Sequence, residues 1–272
     1  MEQNIISLKG SETEIVLNIS DCTEILYWGE AFASHSENEE KTLSRAVPYG
    51  RLDADTPMTL HPELGRGLFS SPALEGHRNG KHWAPVFINK SVENNNNTLT
   101  ITSEDELAGL KLISELVLGK SDVLKVRHTL VNQKSGPYSV NRLASTLPLP
   151  ERAKELLTYY GRWVKEFQQT RTLLTQGGYQ QENRRGRTSH EHYPALIAGT
   201  KAFDEMSGET WGFHLAWSGN HRMRVDVKAD GRRFMQAEAL YLPDSAFEQR
   251  HTFFKYRCCR IHYTCIYVPG FF

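Results

Sequence analysis

The densest run of chemically capable side chains in this 272-residue sequence is Glu182-Asn183-Arg184-Arg185-Gly186-Arg187-Thr188-Ser189-His190-Glu191-His192. Guanidinium forks such as those of Arg184, Arg185 and Arg187 hold carboxylates or carbonyl oxygens with paired hydrogen bonds. Two uses are open to them, capture of an anion or bracing of the domain and its loops. Such density suits a buried or interfacial network, so bracing is preferred, with His190 as a further member. His190 and His192 stand two residues apart, which on a strand puts both imidazoles on one face, as a metal site would use. The spacing places no third ligand and the nearby arginines repel a cation, so neither a metal nor any other cofactor is expected. Ser189 beside His190 suggests a nucleophile and its base. Adjacent strand residues point to opposite faces, however, and do not readily make that hydrogen bond.

Asp53, in Tyr49-Gly50-Arg51-Leu52-Asp53, is the other candidate. A carboxylate accepts hydrogen bonds from vicinal hydroxyls, the contact that sugar recognition uses. The competing reading is a turn or capping aspartate, or an ion-pair partner of Arg51 or Arg66. Trp28, Trp163 and Trp217 have the shape to stack on a pyranose ring. A tryptophan in an apolar strand is more often core or domain interface, and that reading is preferred for all three.

The elements that must position these groups read as strands. Residues 14–19, 98–102, 123–131, 138–147, 211–217 and 223–227 alternate apolar and polar side chains over strand length. Turn-type punctuation separates them: Asn94-Asn95-Asn96-Asn97, Gly119-Lys120-Ser121-Asp122, Lys134-Ser135-Gly136-Pro137 and Ala229-Asp230-Gly231. Period two with short turns predicts antiparallel sheet, and two stacked sheets are the usual way to bury many one-sided strands. The expected fold is therefore all-β, an antiparallel two-sheet β-supersandwich with few short helices. Residues 150–159 are open to either a short helix or an extended linker. Residues 36–85 lack periodicity and hold many Gly, Pro and charged groups, the mark of one long irregular loop region that carries function or decorates the surface.

Composition narrows the partners. Thirty-two basic and 32 acidic residues leave a formal charge of zero, which removes the main electrostatic argument for nucleic acid. The N-terminus has an acidic residue where a signal peptide is basic, and no apolar run reaches membrane-spanning length. A cytoplasmic protein without a membrane role is expected. Three of the four cysteines, Cys258, Cys259 and Cys265, fall in the last fifteen residues, in no zinc or redox spacing. The tail from Arg250 also holds seven aromatics and no Asp or Glu. That switch in composition suggests a shifted reading frame or a truncated gene, with an aromatic edge strand as the alternative.

Taken together, residues 182–192 (ENRRGRTSHEH), 63–78 (ELGRGLFSSPALEGHR), Tyr160-Gly161-Arg162-Trp163-Val164-Lys165-Glu166-Phe167-Gln168, Ala216-Trp217-Ser218-Gly219-Asn220-His221, Tyr27-Trp28-Gly29 and Arg51-Leu52-Asp53 resemble glycoside hydrolase family 36. The likeness is nearest to raffinose- and melibiose-type bacterial α-galactosidases and runs from about residue 10 to about residue 243. It implies an N-terminal galactose-mutarotase-like supersandwich over 1–243, with 244–272 an aberrant tail. It further implies that a (β/α)8 barrel would carry two catalytic aspartates, a retaining pair about 5–5.5 Å apart. The sequence stops before that barrel, so neither aspartate is expected here, and the chain alone is expected to be inactive toward terminal α-1,6-linked galactose. The resemblance also implies a homo-oligomer in which Asp53 reaches a neighbouring subunit's sugar, while the arginines brace this domain against the barrel. A stand-alone carbohydrate-binding or oligomerisation module is the alternative function.

Overall fold

A computed structural model describes residues 4–32, 43 and 56–240, together with the backbone of 259–260 and 264–267. Alternation drives most of the strands. In β7 (Leu110–Leu118) every second side chain is buried, and in β6 (Thr98–Asp105) Leu99, Ile101 and Ser103 turn inward while the threonines between them face out. These two pair with β5 (Ile88–Asn95) and β8 (Val123–Asn132) as one end of a ten-stranded antiparallel sheet. Its other end is β14 (Thr210–Leu215), β13 (Ala195–Gly199), β10 (Glu155–Arg162) and the edge strand β11 (Lys165–Leu173). Between the halves, β18 (Thr264–Tyr267) pairs with both β14 and β8, and β17 (Cys259–Arg260) pairs with β8.

Two smaller sheets complete the molecule. Strands β1 (Ile5–Lys9), β2 (Thr13–Asn18) and β3 (Glu24–Glu30) form one in sequence order. The other runs β12 (Gly177–Asn183), β15 (His221–Val227), β16 (Arg233–Ala239), β9 (Ser139–Leu149) and β4 (Leu74–His77). One core joins all three sheets. Leu8, Ile15 and Leu17 come from the first, Leu116, Leu156 and Phe213 from the ten-stranded sheet, and Leu147, Met223 and Met235 from the third. Burying a side chain of this size stabilises by about 1.5–3 kcal/mol, so the shared cluster is what couples the sheets.

This arrangement corrects the expected two-sheet supersandwich. The chain is all-β and antiparallel, but three sheets surround its core rather than two stacked layers. Alternation tells which face of a strand is buried, not how many sheets share what lies beneath. Strand β16 is buried at every position, which a one-sided sandwich strand is not. The few short helices reduce, among the described residues, to a single 3-10 turn at Leu64–Arg66. Residues 150–159, open to a helix, instead enter β10 at Glu155. Part of the irregular region is also ordered, since Thr59 bridges to Glu24 and Leu60 and Leu68 are buried. No helix among the described residues is long and apolar enough to cross a membrane.

Candidate functional site

Two elements rise on either side of a cleft, the β10–β11 hairpin and the loop that follows β12. Buried amides fix the loop. Asn183, at the end of β12, donates from Nδ2 to the Arg187 carbonyl at 2.6 Å and accepts at Oδ1 from the Ser189 hydroxyl at 3.1 Å. Asn220 Oδ1 accepts from the Gly186 amide at 2.6 Å, and the Thr188 amide donates to the Ser218 carbonyl at 2.7 Å. Farther along, Gln181 Nε2 donates to the Tyr193 carbonyl at 2.6 Å. Gly186 sits at φ 74°, a left-handed turn that suits glycine. The loop is thereby held in one conformation by its own partners.

The hairpin is built differently. Trp163 and Val164 form its two-residue turn, and the register shifts between Tyr160 and Arg162. Gly161 allows this: a Cβ there would lie 2.5 Å from the Lys165 carbonyl oxygen. Val164 and Phe167 take positive φ values of 70° and 52°. Trp163 is 78% exposed and Phe167 60%, which corrects the expectation that Trp163 is core. Trp28 is buried and donates from Nε1 to the Pro148 carbonyl at 2.6 Å, and Trp217 packs partly buried on the core with Nε1 donating to the Asn220 carbonyl at 3.0 Å. A row of rings ties hairpin to loop: Tyr159 to Phe167 at 6.2 Å, then Phe167 to Tyr193 at 5.3 Å.

The cleft between them measures about 900 Å³, with Tyr160, Trp163 and Phe167 on one wall and Arg185, Arg187 and His190 on the other. Arg185 pairs with Glu191 at 2.6 Å, and its hydrogen bond and charge hold the Glu191 carboxyl below its ordinary range. Arg184 pairs outside the cleft with Glu182, which also takes Arg222 Nε at 2.8 Å. Burial opposes ionisation of Glu182, but the hydrogen bonds from Arg222 and Arg184 outweigh it and lower its pKa. Among the described residues Arg187 and His190 are exposed and have no ion pair. No group of three or more His, Cys, Asp or Glu there is placed to hold a metal. Asp53 lies outside the described residues.

Sequence reasoning picked out the arginine side of the cleft and weighed Trp163 as a stacking ring, but preferred to place it in the core. The available signal was Gly161 followed by Trp163 and Val164 between two polar, strand-like runs, a hairpin pattern that puts its turn residues in solvent.

Comparison with known proteins agrees in one direction. The glycosyl hydrolase family 36 N-terminal domain matches residues 22–246. The α-galactosidase of Escherichia coli is 51% identical over 248 residues, covering 91% of this chain and 35% of that protein. Alpha-galactosidase 2 of Hypocrea jecorina is 25% identical over 190 residues, 62% of this chain and 26% of its own length. Among solved structures, the α-galactosidase AgaA of Geobacillus stearothermophilus, as an A355E variant with 1-deoxygalactonojirimycin, superposes with a TM-score of 0.81 at 18% identity. That match covers 98% of this chain and 41% of AgaA. A second AgaA variant, solved with raffinose, gives the same TM-score at 19% identity. This chain therefore spans about a third of the length of its E. coli relative, and it belongs to glycosyl hydrolase family 36 as that family's N-terminal domain.

Proposed function

We propose that this domain serves a raffinose- and melibiose-type α-galactosidase as a recognition and scaffold part, and that the hairpin–loop cleft is where it meets the galactoside. The observation that carries this is the exposed wall of Trp163, Tyr160 and Phe167 opposite a fixed loop of planar polar groups. Aromatic faces stack on the apolar face of a sugar ring, and a few convergent donors select its hydroxyls. The raffinose bound by the AgaA variant supports the substrate class. Asp53 is proposed as a further sugar contact. A cytoplasmic location belongs to the same proposal, and Cys22, which forms no disulfide among the described residues, is in keeping with a reducing compartment.

Calorimetric titration of the purified chain with melibiose and raffinose tests the reading. Weak, saturable heats at millimolar sugar are expected, and Trp163→Ala should reduce the affinity at least several-fold. Heats no larger than dilution would remove the recognition role. The chain alone should not turn over p-nitrophenyl α-galactoside, because neither catalytic aspartate is assigned to it.

The apolar hairpin tip favours a second reading, a subunit contact in a homo-oligomer. Light scattering on the same two proteins separates the readings: an assembly that Trp163→Ala dissociates, without sugar heats in either protein, assigns the tip to subunit contact.

A further inference from the structure

Away from the cleft, a small polar pocket lies between residues 56–66 and the ten-stranded sheet. His61 and His128 are buried there, ring edge to ring face, with centroids 5.5 Å apart. His128 Nδ1 shares a hydrogen bond of 2.9 Å with the Ser114 hydroxyl. Both ring nitrogens of His61, Nε2 of His128 and Oγ1 of Thr59 have no partner among the described residues. Each buried polar atom left unsatisfied costs about 1–3 kcal/mol, so those of His61 and Thr59, which line one cavity, call for an occupant. A cavity of about 20 Å³ opens against His61, Thr59, Thr23, Ser114, Ser103 and Asn89. One water needs roughly 10–15 Å³ and two to four polar partners. The space is too small for an organic ligand, and the described residues there offer no metal-binding set.

We propose that this cavity is a hydration site for one ordered water, which joins His61 and Thr59 to the Ser114–His128 pair and latches residues 56–66 onto the sheet. The latch is acid-sensitive. Burial lowers His128 to about 4, while burial and the nearby His128 drive His61 well below 6.5. Protons therefore bind the unfolded chain more readily, and the stability present above about pH 6.5 is lost as pH falls toward 4.

Several elements bring groups to face the pair. From residues 56–66 come Glu63 and Arg66, 2.6 Å apart, and from the β2–β3 connection comes the Cys22 thiol, pushed up to about 11 by burial. Strands β5, β6 and β7 present the uncharged Asn89, Ser103 and Ser114. Beyond them, Asp105 acts on Glu63 through its charge. Burial raises Glu63 to about 7, against the pull of Arg66. Its linkage has the opposite sign, since the folded state then binds the extra proton and gains stability as pH falls from about 7 to 4.5. Any test in acid must remove it.

Two measurements on the full chain decide the matter. With 15N-labelled histidine, both rings should stay neutral well below pH 6.5, and the His61 N–H should show a cross-peak to a long-lived water. A His61 proton that exchanges rapidly, with no such cross-peak, overturns the hydration site. In a Glu63→Gln background, His61→Phe should move the acid-unfolding midpoint to lower pH by several tenths of a unit or more. An unchanged midpoint overturns the latch. The first measurement needs no variant, so it decides the hydration site even where His61→Phe does not fold.

Discussion

At the scale of single residues, Val164 is the least comfortable position in the hairpin beside the cleft. A β-branched side chain at φ 70° crowds its own backbone, a conformation that costs roughly 1–3 kcal/mol. Its side chain is largely exposed, so no core packing offsets the cost. Val164→Asn, which tolerates the left-handed region, is expected to raise stability by about 1 kcal/mol in urea titration. A loss of stability would mean that Val164 is held by contacts its exposure does not suggest. If the strained turn aims Trp163, the same exchange should weaken galactoside binding while strengthening the fold. Only part of this was legible beforehand. The arginines are conspicuous in sequence because guanidinium forks are chemically distinctive. Asn183 and Asn220, which hold the loop, are not, because an amide in a string of polar residues gives no sign that folding will bury it and leave it one set of partners.

At the scale of elements, the five-stranded sheet carries a row of alternating charges across every strand. Glu182 on β12 meets Arg222 on β15 at 2.8 Å, and Arg222 meets Glu238 on β16 at 3.1 Å. Glu238 meets Arg142 on β9 at 3.2 Å, and Arg142 meets Glu75 on β4 at 3.6 Å. The first two contacts join residues directly opposite in register, as do Glu75 and Arg142. Glu238 and Arg142 are both almost fully buried. Their contact is an ion pair rather than an aligned hydrogen bond, since Arg142 Nε and Glu238 Oε2 lack hydrogen-bond partners. Burial pushes the Glu238 carboxyl up despite the pull of Arg142 and Arg222. Glu238→Leu would leave Arg142 buried without its nearest carboxylate, a loss expected to cost about 3–5 kcal/mol in chemical denaturation. Adding Arg142→Met should recover most of that, and failure to recover would mean that the pair is not the unit of stability. Periodicity could not foresee this row. The alternating strands β6 and β8 were legible because one face meets the core and the other meets water. Strand β16 is covered on both faces, so its Gln236 and Glu238 look like solvent positions in sequence. Strand β10 was obscured for another reason. Good helix formers follow Pro150, but pairing with β11 and β13 overrides their local preference.

At the scale of the whole molecule, the question is whether three sheets that share one core cluster, with a second cluster formed by β4, β7, β8 and β9, unfold as one body. Met235 sits on β16 with no exposure, in the cluster that takes Ile15 from the three-stranded sheet and Leu116 from the ten-stranded one. Met235→Ala removes packing and leaves a cavity, at an expected cost of about 2–5 kcal/mol. If the core couples the sheets, that loss is felt beyond β16. Amides protected only by global unfolding, in β2, β7 and β15 alike, should then exchange faster by one common factor of at least about tenfold, since 1.4 kcal/mol corresponds to ten. If the sheets were separate layers with private interiors, the acceleration would stay in β15, β16 and β9, and β2 would keep its rate. Native-state hydrogen exchange on the variant distinguishes the two outcomes. A common factor is expected because no sheet here closes a core alone: the first has three strands, and its buried Leu8, Ile15 and Leu17 belong to a cluster that also takes in both other sheets.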